Sequence, residues 1–143
     1  MAHLSRYHVM GPIDLESGGE GGLYVGLSRS KCIAAGKDVS AATAKDADVA
    51  RDFAVILVGG MVAEQVAAEF NAAIEPSRDG AALDHAFLMQ ALAAAGLSKK
   101  FDRYEEQART RLRENWRKVE ALAHVLLRDG ACPTETAKEI FLA

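Results

Sequence analysis

A mainly α-helical bundle preceded by a small N-terminal β-ribbon is the fold this sequence predicts, and three observations predict it. Alanine is used heavily while aromatic residues make up only 6% of the chain, a composition suited to closely packed helices rather than a sandwich of short strands. From about residue 46 onward apolar residues recur at spacings of three and four, the period of one helix face. Before that point short apolar runs are punctuated by glycine and proline, as strands and their connections are. At 143 residues the chain is read as one domain, 1–143, large enough to bury a core without staples. Residues of about 1–30 form the ribbon with a glycine-rich loop, and 46–143 form the helices.

The elements follow in order. Tyr7-His8-Val9-Met10 ends at Gly11-Pro12 and reads as a short strand, and Leu23-Tyr24-Val25-Gly26-Leu27 reads as a second. The loop Ser17 to Gly22 between them is too long for a tight hairpin turn. Ser28 to Ala44 reads as a loop with a short helical turn. The first long helix presents Val49, Phe53, Ile56, Leu57, Gly60, Ala63, Ala67 and Phe70 on one face, with Asp46 and Asp48 at its positive end. Gly59 and Gly60 each cost about 1 kcal/mol there relative to alanine, which predicts close approach of another backbone. Pro76 closes that segment. A second helix runs from about Asp79 or Gly80 to Ala95, stopped by Gly96. A third starts near Ser98 and continues to Arg128, with Asp129-Gly130 as its end. Its stripe is Phe101, Tyr104, Ala108, Leu112, Val119, Leu122, Ala123, Leu126 and Leu127, with Trp116 at the edge. Thr134 is placed to cap a last helix from Glu135 to Leu142.

Composition narrows the function classes. Half the residues are hydrophobic, 26% are charged, and the net charge is −3, which points to no strongly charged partner. Ser98 to Gly130 carries nine Lys/Arg against six Asp/Glu; the interspersed acids make it a solvated helix face rather than a nucleic-acid surface. Cys32 and Cys132 belong to no CxxC pair and read as small hydrophobes. Met1 to Met10 lacks the apolar core of a signal peptide, and charges interrupt the longest apolar stretches well before ~18 residues. No membrane partner is expected, and a reducing cytoplasm fits.

The catalytic motifs are mostly exclusions. Gly21-Gly22 is followed by Leu23 and Lys31 adjoins no glycine, so no GxxxxGK[ST] phosphate loop exists. None of His3, His8, His85 and His124 is four residues from another, whereas a catalytic zinc commonly takes two histidines one helical turn apart. His124 reads as a partly buried helix residue, and His85 has Asp79 and Asp84 near it in sequence.

Leu57-Val58-Gly59-Gly60-Met61-Val62-Ala63-Glu64-Gln65-Val66 resembles the LLGGRAAEEL helix of FtsH-type ATP-dependent zinc metalloproteases. Ser77-Arg78-Asp79 resembles that family's S-N-D segment, and the run Ala108, Leu112, Asn115, Val119-Glu120-Ala121-Leu122-Ala123, Leu126-Leu127 is similar to its long C-terminal helix. Glu139-Ile140 fits its closing helix, and Val9, Pro12 and Gly22 to Leu27 fit its β-ribbon. The resemblance spans about residues 7–142 in order. It implies a helical bundle of the FtsH-type peptidase domain in which Gly59, Gly60, Glu64 and Asn115 are structural, and Asp79 or Asp84 is a vestigial zinc ligand. The departures are equally specific: the HExxH helix that should lie just before His8 is not in the chain, and Met61 stands where the family has arginine.

Three functions stay open. One is a non-catalytic, degenerate peptidase-like domain acting as a binding or assembly module, with no cofactor and a protein or peptide partner. Another is a fragment of a genuine zinc peptidase whose HExxH helix lies upstream, zinc being bound only when that helix is supplied. The third is a small-molecule-binding helical protein. A two-fold dimer is expected, through Val49, Phe53, Ile56, Leu57 and Phe70 or through Leu112, Val119, Leu122 and Leu126.

Overall fold

The computed structural model describes residues 7–10, 13–14, 24–36, 46–76, 82–97 and 101–143. Six helices take up most of them, so the chain is mainly helical. In chain order the elements are β1 (Tyr7–Met10), β2 (Ile13–Asp14), β3 (Tyr24–Leu27), α1 (Arg29–Ala34), α2 (Ala47–Phe70), α3 (Ala82–Ala94), α4 (Phe101–Glu114), α5 (Trp116–Asp129), β4 (Ala131–Cys132) and α6 (Thr134–Leu142). The strands form two short antiparallel pairs. Tyr7 lies opposite Leu27 and Met10 opposite Tyr24 in one, and Ile13 lies opposite Cys132 in the other. No larger sheet occurs among the described residues.

The organising element is α2. Asp46 begins it by accepting hydrogen bonds from the backbone N–H of Asp48 at 2.9 Å and Val49 at 3.3 Å, satisfying two of the donors a helix start leaves open. The helix then runs unbroken through Gly59 and Gly60. It packs on α3 and α4, and Ala54, Val55, Val58, Val62 and Val66 form the core with Leu88, Leu92, Tyr104, Ala108 and Leu112.

That core corrects the expected face. Phe53, Ile56, Leu57, Ala63 and Ala67 are only half-buried, and Gly60 and Phe70 are exposed. From Phe53 to Ala63 no residue is charged, so spacing alone did not set the phase. The compact β-branched valines occupy the seam where two helices meet it. The close backbone approach expected at Gly60 is also absent, because a Cβ built there meets nothing within 4 Å; Gly59 is the buried one of the pair. α2 is the one described helix long and apolar enough to cross a membrane, with mean hydropathy 1.6 over an 18-residue window. Core helices of globular proteins pass that test as well, and here its valines are spent on α3 and α4.

The expected third helix is two. Asn115 separates α4 from α5 with φ −112° and ψ 17°, and its side-chain amide donates to the Arg111 carbonyl at 2.8 Å. An asparagine that bonds backbone in this way competes with helix continuation. Gly130, at φ 75°, closes α5 in the left-handed conformation that glycine adopts without penalty. Thr134 turns out to be the first helical residue of α6, with Pro133 before it and no side-chain cap bond.

A polar clasp fastens α2 to α4 beside the dry seam. Arg113 binds Glu69 through two nitrogens at 2.8 and 3.2 Å, and Arg109 donates to Gln65 at 2.7 Å.

Candidate functional site

The residues that the sequence suggested for metal chemistry are not assembled into a site. Asp79 lies outside the described residues, and Asp84 is in the first turn of α3. His85, next along, is exposed and places its ring 4.5 Å from that of Phe101 at 46°. The two line a pocket of about 30 Å³ with Leu57, Val58, Met61, Leu88 and Glu105, space for about one water. His124 is exposed on α5 rather than partly buried. Among the described residues no group of three or more His, Cys, Asp or Glu could hold a metal ion. Glu64 is exposed on α2. Cys32 and Cys132 are free and fully buried, and burial pushes the Cys132 thiol above its usual range.

A buried acid went unread in the sequence: Asp52, in the second turn of α2, is 8% exposed, and its charge acts on Lys31 of α1. Burial lowers the Lys31 ammonium from its usual range, and the Asp52 carboxylate pulls it part of the way back. Ser28 is buried beside them, but its hydroxyl caps α1 by accepting from the Lys31 backbone at 3.4 Å and lies 3.2 Å from the Ser30 hydroxyl. It is engaged as a cap, not aimed as a nucleophile. The signal that could have found this acid is its place inside an otherwise apolar helix.

An open surface lies on α5, none of whose residues is buried. Val119, Leu122, Val125 and Leu126 are half-buried, Val119 against the core, and the helix contacts β4 and α6. There Lys118 reaches past them to donate to the carbonyls of Phe141 at 2.9 Å and Ala143 at 3.3 Å, which ties α6 to the helix. On the adjoining side Trp116, Glu120, Ala123 and Leu127 follow one another at offsets of four, three and four, a single helix stripe about 16 Å long. Leu127 is 79% exposed. At the other end Phe70, 66% exposed, stacks on Trp116 with ring centres 5.4 Å apart and planes at 20°. Phe70 and Leu127 are the large apolar side chains open to solvent at the two ends of this stripe. Trp116 is half-buried against the core, at the edge of the inward stripe as the sequence suggests, whereas Leu127, expected in that stripe, is exposed.

Comparison with protein-family models, with curated proteins and with solved structures finds no match for the chain. The family resemblance therefore rests on the motifs alone.

Proposed function

We propose that the chain is a binding or assembly module built on a degenerate FtsH-like peptidase core, without catalysis of its own. In this reading α2 is the family's double-glycine helix, the β1–β3 pair its ribbon, and α4 to α6 its closing helices. The observation that carries it is the pair of large apolar side chains left open to solvent beside α5, Phe70 at 66% and Leu127 at 79%. Scattered apolar residues on a surface are ordinary, but large ones this open beside a helix with no buried residue support a surface that another molecule covers. The sequence supports the non-catalytic half: its four histidines include no pair one helical turn apart, and a zinc peptidase needs such ligands and an ordered base.

The purified chain, supplied with one equivalent of zinc, is expected to leave casein intact. Hydrolysis that appears with zinc and is blocked by a chelator overturns this reading in favour of a peptidase.

A further inference from the structure

We infer that α5, β4 and α6 form an arm that swings as one unit about Asn115 and is held closed at its far end by the β2–β4 strand pair. Neither the hinge nor the latch depends on the peptidase-like reading of the chain.

The hinge is one residue. Among the described residues, the backbone hydrogen bonds across the α4–α5 junction all have Asn115 as a partner. Its N–H is shared between the Arg111 and Leu112 carbonyls at 3.2 Å each, and its own carbonyl accepts from Lys118 at 2.9 Å and Val119 at 3.2 Å. A continuous helix would add rungs from Trp116 to Leu112, Arg117 to Arg113 and Lys118 to Glu114. Without those rungs the junction bends more easily than the helices on either side of it. The side chains that tie the arm to the bundle sit close to this pivot, where a rotation moves them least. Trp116 stacks on Phe70, and Trp116 and Val119, both in the first turn of α5, pack against the bundle core.

The arm coheres by itself. Cys132, Ala137 and Phe141 are buried, yet they lie outside the core cluster that α2, α3 and α4 share. Lys118 binds α5 to the end of α6 through the carbonyls of Phe141 and Ala143, and α5 contacts both β4 and α6. These ties join arm to arm, so a rotation at Asn115 leaves them whole.

The latch is slight and well placed. α5 carries β4 about 21 Å from the pivot, where Ile13 pairs with Cys132 and Asp14 with Ala131. A strand pair this short is marginal by itself, and its release costs far less than unfolding the bundle. Opening parts Ile13 from Cys132, whose thiol is fully buried while the pair is formed.

Thiol labelling of the folded chain under native conditions tests this, with Cys32→Ala as background. Cys132 is expected to react on the order of tenfold or more faster than the core thiol introduced by Val62→Cys in a Cys132→Ala chain. Its rate should also rise less steeply with urea, since that slope scales with the surface an opening exposes. The α6 thiol introduced by Ala137→Cys, again with Cys132→Ala, should stay as slow as the core one, because the arm moves without coming apart. Asn115→Ala favours a continuous α4–α5 helix over the closed bend. It should therefore widen the ratio of Cys132 labelling to core labelling several-fold, although it lies far along the chain from the labelled thiol. Equal rates and urea slopes for Cys132 and the core thiol overturn the proposal. So does a ratio indifferent to Asn115→Ala, which would mean that β4 frays alone, or an α6 thiol as reactive as Cys132, which would mean that the arm unfolds instead of swinging.

Discussion

The α2–α3–α4 bundle and the α5–β4–α6 arm use similar side chains to different ends. In the bundle Val62, Val66 and Leu92 are fully withdrawn from solvent within one core cluster shared by α2, α3 and α4. In the arm α5 is at least as regular in its apolar spacing, yet nothing on it is buried and Leu127 stands 79% exposed. Amphipathic pattern creates an apolar face, and how extensively a long neighbouring helix packs on it decides whether the chain itself covers that face. The bundle's apolar atoms are buried in the fold, while Leu127 of the arm stays in solvent.

The largest test of that contrast is a pair of truncations. Leu92→Ala should destabilise by about 2–5 kcal/mol through lost burial and the cavity left behind. Leu127→Ala should stay within about 0.5 kcal/mol of the parent. Denaturant unfolding must be read at dilutions where single chains prevail, because association stabilises by mass action. Comparable losses at the two sites would mean that the arm is packed as tightly as the bundle.

A smaller effect, of opposite sign, is expected on the outer side of the bundle's own central helix. Gly60 is exposed and an added Cβ meets nothing within 4 Å. Gly60→Ala should therefore stabilise by about 0.5–1 kcal/mol through restricted unfolded-chain freedom and better helix propensity. A lowered unfolding midpoint would reinstate the close backbone contact that the sequence suggested.

The smallest effect concerns the clasp near the junction of the two regions. The Arg113 hydrogen bonds hold the Glu69 carboxyl below its ordinary range, with the charges of Arg113 and Arg109 adding to them and partial desolvation opposing. A carboxylate lowered in the folded state stabilises above its unfolded pKa and loses that contribution as pH falls through the folded one. The gap in melting temperature between the parent and Glu69→Gln should be present near neutral pH and close below about pH 4. It should stay small throughout, since the pair is open to solvent. A gap independent of pH would show that the clasp contributes by packing alone.

The helical class and the existence of each long helix were legible because spacing, caps and stop residues agree along most of the chain. The phase of α2 was not, since eleven consecutive uncharged residues from Phe53 to Ala63 leave every direction apolar and only the positions of α3 and α4 select the valine seam. The break at Asn115 was hidden because the apolar stripe continues across it and no glycine or proline marks it. Its cause is one side-chain amide bonded to the Arg111 carbonyl. The open side of α5 was half legible: Leu127 was noticed as apolar, but its exposure depends on which side of α5 meets β4 and α6. The influence of Asp52 on Lys31 depends on where α1 lies relative to α2, which local pattern does not encode.

The pairing of Ile13 with Cys132 has a consequence for the order of folding. It joins positions near the two ends of the chain, so its formation must close a loop of nearly the entire polypeptide. Closure entropy rises with loop length and is met before the contact returns any energy, and a strand pair of two residues each returns little. The α2–α3–α4 seam is assembled from segments nearer in sequence and costs less closure entropy, so the β2–β4 pair is expected to fasten after it.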